Sequence, residues 1–131
     1  MRPLRRAWRG LTRNVAETSA DADEPRLVGR TYAIPFERVW QAALVIARKR
    51  RLWRITEEDD REGVIRLEAT TPIFRFVDDV AIHVTLDENA QTRVDMRSAS
   101  RKGFADLGKN PRRVGRFFRA LDRALKRRAP R

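Results

Sequence analysis

Four side chains that can hold an anion lie close together in the run RSASR, residues 97–101. Arg97 and Arg101 carry planar guanidinium groups, whose paired N–H donors match a carboxylate or a phosphate. Ser98 and Ser100 add hydroxyl groups that can bind the same ligand. The run therefore has the residue types of an anion-binding site, provided that the fold brings these side chains to one place.

The strand pattern around this run predicts a hairpin. Residues 80–86 and 92–100 alternate apolar and polar side chains, which is typical of strands with one buried face. Pairing Val84 with Val94 sets apolar residues opposite one another along both segments. The pairing leaves residues 88–90 as a three-residue loop, which is a common hairpin length.

The same register predicts one polar cluster on each face of the hairpin. Asp79 lies opposite Ala99, and Arg97 and Arg101 are its diagonal neighbours at about 7–8 Å, within reach of an arginine side chain. Asp78 falls on the other face, together with the two serines. Segments that are far apart in the sequence, VDDV and RSASR, are thus expected to meet in space.

Two interpretations of these clusters remain open. In the structural one, two arginines clamp Asp79 and the serines hydrogen-bond the incoming loop. In the functional one, the arginines and the loop amides around Gly103 hold an anion, and Asp79 orients the guanidinium groups. The candidate anion-binding or structural cluster comprises Asp78, Asp79, Arg97, Ser98, Ser100, Arg101, Gly103, Asp106 and Asn110.

The positive charge of the chain is concentrated near its end. The formal net charge is +12, and residues 97–131, with thirteen basic and two acidic side chains, carry +11 of it. This asymmetry predicts an anionic partner, which can be a small ligand, an acidic membrane surface or an acidic protein. Composition bias is the alternative, because only four of the thirty basic residues are lysine. The predicted basic surface comprises Arg112, Arg113, Arg116, Arg119 and Arg123.

The elements that must position these residues are two helices and several strands. The segments PFERVWQAALVIARKR (residues 35–50) and NPRRVGRFFRALDRALKRR (residues 110–128) place apolar side chains at helical spacing, and Asn110 and Pro111 are suited to begin the second helix. The strand segments between the helices each have one apolar face, which favours an antiparallel sheet. The predicted fold is α+β: a four- to five-stranded antiparallel sheet with both amphipathic helices on one face, in the order β-α-β-β-β-β-α.

The sequence divides into two regions. Residues 1–26 are predicted to be a basic tail or amphipathic helix followed by an acidic linker, and residues 27–131 a single α+β domain. In residues 1–16, arginines surround an apolar stripe of Leu4, Trp8, Leu11 and Val15 at helical spacing, so a peripheral membrane contact is one interpretation of an otherwise cytoplasmic protein. The absence of cysteine excludes disulfides and thiolate sites.

Enzymatic motifs are weak in this sequence. His83 is the single histidine, so a histidine metal cluster is excluded, and no nucleophile accompanies its predicted partner Asp95. We predict no catalytic residue, metal or cofactor.

The sequence analysis favours a small non-enzymatic binding domain for an anionic ligand or surface. The first alternative is an RNA- or DNA-binding protein, with Phe74 and Phe76 as base-stacking residues. The second is an enzyme that uses Asp79, His83 or Asp95.

Two segments, residues 69–80 (ATTPIFRFVDDV) and 93–121, resemble domain-of-unknown-function family 1499, which occurs in many bacteria and in photosynthetic eukaryotes. The resemblance covers about residues 32–125, and it implies an unassigned biochemical role and no mechanism. Arg75 departs from the family pattern, which has a small residue between the two aromatics. The matching positions are Asp78, Asp79, Arg97, Ser98, Ser100, Arg101, Gly103, Asp106, Gly108, Asn110 and Arg113.

Overall fold

The computed structural model describes residues 15–17, 29–101 and 109–127 of the 131-residue chain. Its two helices and six strand segments follow the predicted α+β order, except that an additional short strand comes first. The elements are β1 (Val15–Glu17), β2 (Arg30–Tyr32), α1 (Phe36–Lys49), β3 (Trp53–Asp59), β4 (Val64–Thr70), β5 (Val77–Leu86), β6 (Thr92–Ser100) and α2 (Lys109–Arg127).

The sheet is antiparallel throughout and five positions wide. Strands β3 to β6 follow one another as a meander, and β1 and β2 both pair with the far side of β6. β2 lies against residues 92–94 and β1 against residues 97–99, so the two short strands share one edge position. The predicted α+β fold with a four- to five-stranded sheet is confirmed.

The first strand lies in the region that the sequence predicts to be a tail or a helix. Val15, the last apolar residue of the predicted helical stripe, is in β1 and pairs with Ala99. Helical spacing of apolar residues did not decide the structure here, because the edge of β6 offers backbone hydrogen bonds to a three-residue strand. Residues 1–14 of the predicted tail or amphipathic helix, and residues 18–26 of the predicted linker region, fall outside the described residues.

Both helices cover the same face of the sheet, as predicted. α1 buries the side chains that its spacing places on one face, including Trp40 and Leu44. α2 buries Phe117, Phe118 and Leu121 in the same core. The inward side chains of the sheet complete this core, whereas the outward side chains, such as Arg66 and His83, are exposed.

The β5–β6 hairpin has the predicted register at every position. Val84 pairs with Val94, and Asp79 pairs with Ala99. The amide of Asp87 donates to the carbonyl of Gln91 at 2.8 Å, which closes the predicted three-residue loop. Ala90 ends this loop with φ of 62°, the left-handed conformation that a three-residue hairpin loop requires.

The connections at the two ends of the sheet differ in charge. One end, which we call the basic end, comprises residues 50–52, 71–76, 100–101 and Lys109, and these residues include five cations and no acid. The opposite end comprises the turns at residues 59–63 and 87–91, with five acids and one cation. The meander places the α1–β3 connection, the β4–β5 turn and the start of α2 at the same end.

Candidate anion-binding site

The inner cluster lies where the sheet meets the first turn of α2, and it comprises Asp78, Ser98, Ser100, Lys109, Asn110 and Arg113. Asp78 is fully buried, because its side chain points to the helix-covered face of β5. Its carboxylate accepts from Lys109 Nζ at 3.0 Å and from Arg113 Nη1 at 2.9 Å. Each oxygen of the carboxylate is therefore paired with one cation of α2.

Arg113 connects the remaining members of the inner cluster. Its Nη1 donates to the Oδ1 of Asn110 at 2.8 Å and to the Oγ of Ser98 at 3.0 Å. Ser98 donates to the same Asn110 oxygen at 2.6 Å, and Asn110 Nδ2 donates to the Oγ of Ser100 at 3.0 Å. These polar groups satisfy one another, so the inner cluster joins α2 to the sheet.

The prediction that Arg113 belongs to the basic surface is wrong. Only 9% of the residue is exposed, since it lies four residues before Phe117 on the buried side of α2. Burial of a guanidinium group requires an ionic partner, and Asp78 supplies it. Asn110, predicted to cap the helix, lies in its first turn, because α2 begins at Lys109.

The outer cluster lies on the opposite, helix-free face of the sheet. Arg101 donates to Asp79 at 2.8 Å and 3.0 Å, and to Glu68 at 2.6 Å. Arg54 donates to the other oxygen of Glu68 at 2.6 Å. The predicted proximity of Asp79 and Arg101 is confirmed, and the sheet adds Arg54 and Glu68 from the neighbouring strands.

Electrostatics bind the outer cluster together. Hydrogen bonds from Arg101, and then from Arg54, lower the pKa of Glu68. Hydrogen bonds to Asp79 and Glu68 raise the pKa of Arg101. Two cations and two carboxylates alternate along this network, so its charges largely cancel.

Arg97 lies beside the outer cluster, where β6 pairs with β1. The pKa of Arg97 is lowered because the effect of burial exceeds the opposing effect of the carboxylates of Glu17 and Asp79. Glu17 is its direct neighbour across the strand pair. Two members of the candidate cluster, Gly103 and Asp106, lie outside the described residues.

A cationic surface covers the exposed side of α2 and the end of α1; it comprises Arg50, Arg112, Arg116, Arg119 and Arg123. Partial burial lowers the pKa of Arg116, and three neighbouring arginines of the same helix lower it further. Burial also lowers the pKa of Arg50, and the charge of Arg116 adds to this effect. These guanidinium groups are thus crowded by like charges.

Sequence reasoning missed two cations that the fold brings to these sites, Arg50 and Lys109. The run Arg48–Arg51 is suited to complement the dipole of α1, but Arg50 instead lies over the ring of Trp53 at 5.0 Å. The signal was the absence of any acid in that run, which leaves its cations without local partners.

A groove of about 510 Å³ runs between α1 and α2. Its lining combines apolar residues, such as Ala42, Ile46 and Ala120, with charged ones. Arg97 and Arg101 are not among its lining residues, so the groove is unrelated to the predicted cluster.

The residues of the enzymatic hypothesis lie on the open face of the sheet. His83 is exposed and pairs with Asp95 across the hairpin, as the register predicted. Arg93 donates to both carboxylate oxygens of Asp95 at 2.9 Å. Within residues 15–17, 29–101 and 109–127, no three His, Cys, Asp or Glu side chains are grouped closely enough to hold a metal ion.

The described helices include none that is both long and apolar enough to cross a membrane.

The sheet topology and the two helices on one face define an α+β domain. The sequence profile of the family described as "Protein of unknown function (DUF1499)" matches residues 12–121, and the chain belongs to this family. The match confirms the resemblance and also includes β1 and β2. A comparison with curated proteins gave no match.

Among solved structures, the chain is similar to the crystal structure of the protein TTHA0849 from Thermus thermophilus. The sequence identity is 12% and the TM-score is 0.40, over 78% of this chain and 97% of that one.

Proposed function

We propose that this protein is a non-enzymatic domain that binds an anionic surface through the cationic surface of α1 and α2. The observation that carries the proposal is the crowding of Arg50 and Arg116, whose pKa values burial and like charges lower. Neither guanidinium forms an ion pair with a carboxylate of the described part of the chain. A bound anion would relieve this repulsion.

The paired clusters are poorer candidates for ligand binding. Arg101 is engaged by Asp79 and Glu68, and Arg113 by the buried Asp78. An incoming anion would have to displace these carboxylates. We therefore assign a structural role to both clusters and move the proposed anion site to the helix surface.

The geometry of α2 favours an extended anion over a small one. Arg112, Arg116, Arg119 and Arg123 follow one another at intervals of three or four residues, so they form one stripe along the helix. At a rise of about 1.5 Å per residue, the stripe is roughly 16 Å long. A membrane surface or another polyanion can contact all four cations, whereas a single small ligand cannot.

The proposal is tested with vesicles of phosphatidylcholine alone or with phosphatidylglycerol added. The double variant Arg116→Gln/Arg119→Gln is expected to bind acidic vesicles roughly 30-fold more weakly, at about 1 kcal/mol for each surface cation. The matched control, Arg54→Gln/Arg66→Gln, removes two cations from the opposite face and is expected to bind like the wild type. Co-sedimentation at two salt concentrations measures both, and circular dichroism confirms folding.

Equal binding to neutral and acidic vesicles would contradict a membrane as the anionic surface. Equal losses in the two double variants would show that net charge alone matters, and would contradict a located site. Binding to mixed RNA, with salt dependence but without vesicle binding, would favour the nucleic-acid alternative.

A further inference from the structure

We infer that the β4–β5 turn, residues 71–76, is a membrane-inserting tip, and that the anionic surface is a bilayer containing acidic lipids. This inference rests on the proposed function and names its partner. Ile73 and Phe74 would enter the apolar boundary of the bilayer while the basic end contacts the headgroups.

The tip exposes two adjacent large apolar side chains. Ile73 is 81% exposed and Phe74 is 72% exposed, the highest values among the exposed large apolar residues of the described chain. Most large apolar side chains of the described residues are buried in the core, so exposure here is a local exception. Removal of such surface from water is favourable, and a bilayer interface can supply that environment.

The backbone of the turn holds these side chains away from the core. Thr71 and Phe76 close the turn: the Thr71 amide donates to the Phe76 carbonyl at 2.8 Å, and the Phe76 amide donates to Thr71 Oγ1 at 2.8 Å. Phe74 stacks on Phe76 with ring centroids 5.7 Å apart. Arg75 has a φ of 58°, a left-handed conformation that usually requires glycine. The turn therefore places Ile73 and Phe74 outward.

Cations surround the tip. Arg75 lies within it, and Lys109 Nζ lies 5.7 Å from the ring of Phe76. The basic end also contributes Arg50 and Arg51, whereas Arg101 and Lys109 are already paired with Asp79 and Asp78. An apolar tip flanked by Arg50, Arg51 and Arg75 complements an acidic bilayer, where these cations contact headgroups and the apolar side chains lie below them.

The chemistry of the tip favours a bilayer over the other anionic partners. Stacking on a nucleic-acid base would use the ring of Phe74 but has no role for Ile73, which is even more exposed. Bilayer insertion uses both side chains, and it requires no complementary pocket.

The first experiment removes the apolar surface. Ile73→Ser/Phe74→Ser is expected to bind acidic vesicles at least about tenfold more weakly, because two buried apolar side chains are lost from the complex. Leu86→Ser is the matched control, since Leu86 is 60% exposed at the opposite end of the sheet. Its binding is expected to equal that of the wild type.

The second experiment reports insertion directly. The chain has no cysteine, so Phe74→Cys and Leu86→Cys each provide one site for an environment-sensitive fluorophore. The probe at residue 74 is expected to shift to shorter wavelength with acidic vesicles and to be quenched by spin-labelled lipid. The probe at residue 86 is expected to do neither.

The outcomes separate this inference from the proposed function. If Arg116→Gln/Arg119→Gln weakens vesicle binding and Ile73→Ser/Phe74→Ser does not, the anionic surface stands and the inserting tip is overturned. If the probe at residue 74 is unchanged while the chain binds mixed RNA, the partner is a nucleic acid and the tip is again overturned. If the chain binds no acidic vesicle, the membrane-inserting tip and the membrane as the anionic surface are both overturned.

Discussion

Asp78 and Asp79 are neighbours in the sequence and have opposite environments. Because successive residues of a strand point to opposite faces, Asp78 enters the buried inner cluster and Asp79 the exposed outer cluster. Removal of one partner from a buried ion pair lowers the free energy of unfolding far more than the same change in an exposed pair, because the remaining charge cannot be hydrated.

The first prediction compares these two residues. Asp78→Asn is expected to reduce the free energy of unfolding by about 3–5 kcal/mol, because Arg113 and Lys109 would keep buried or half-buried charges without their carboxylate. Asp79→Asn is the control and should cost much less. Urea denaturation of both variants measures the difference, and equal losses would contradict the assigned environments.

The second prediction concerns Glu68, whose pKa Arg101 and Arg54 lower. The folded protein thus stabilises the ionised carboxylate of Glu68 more than the unfolded chain does. The stabilisation is present above the unfolded pKa and is lost as the pH falls through the folded pKa. Glu68→Gln should therefore be less stable than the wild type at pH 7, and the difference should shrink as the pH falls through the folded pKa of Glu68.

Carbon-13 NMR titration of the Glu68 carboxyl checks the cause. The pKa is expected below the ordinary value of 4.5 and should rise toward it in Arg101→Gln, because that change removes the main hydrogen bond. A titration that is the same in both proteins would exclude Arg101 as the cause.

Contacts between residues were predictable from the sequence where strand register determines them. The burial of a charged helix residue was not predictable. The pairing of Asp79 with Arg101 follows from apolar alternation in two adjacent strands. Arg113 has the helical phase of the buried Phe117, but its charge suggested the surface. Its partner Asp78 belongs to another element, and the packing of α2 on the sheet is not encoded by spacing alone.

At the scale of elements, two turns place a residue other than glycine in the left-handed conformation. Arg75 and Ala90 both adopt positive φ, although neither is glycine. A side chain with a Cβ is disfavoured in that region by roughly 1–2 kcal/mol. Arg75 is thus the residue that departs from the family pattern and also a residue that the turn holds in a strained conformation.

The third prediction compares glycine at the two turns. Arg75→Gly and Ala90→Gly should each raise the free energy of unfolding by about 0.5–1 kcal/mol, because relief of the strain outweighs the freedom that glycine adds to the unfolded chain. Only Arg75→Gly is expected to weaken binding to acidic vesicles, because it removes a cation from the tip. Thermal unfolding and co-sedimentation measure the two effects, and a binding loss in Ala90→Gly would contradict this assignment.

The helices and the meander were predictable from the sequence because each has a clear apolar period. The segments of β1 and β2 were harder, since a three-residue strand is too short to show alternation. The sequence predicts a first strand near β2, whereas it gives no sign of β1. The positions of both depend on the exposed edge of β6, which is distant in the sequence.

At the scale of the whole molecule, charge is separated along the strands. The acidic turns lie at one end and the basic connections at the other, and a strand of nine or ten residues separates them by roughly 30 Å. This distance exceeds the Debye length of about 8–10 Å at physiological salt. The acidic turns therefore contribute little to the field at the basic end.

The fourth prediction tests this separation. Asp60→Asn/Glu88→Gln raises the net charge by two, at exposed positions of the acidic turns. Binding to acidic vesicles is expected to change by no more than about twofold at physiological salt, because the added charge is screened from the basic end, where the membrane-inserting tip lies. A gain as large as the loss in Arg116→Gln/Arg119→Gln would show that total charge governs binding.

The two edges of the sheet are protected from pairing with a second chain in different ways. β3 carries a bulge between Ile55 and Glu57 and ends in acidic side chains, which oppose pairing with a second chain. β6 is covered by two strands of three residues each, too short to act as templates. Proteolytic loss of β1 would uncover the backbone of residues 97–99, and this clipped form would be open to edge-to-edge aggregation.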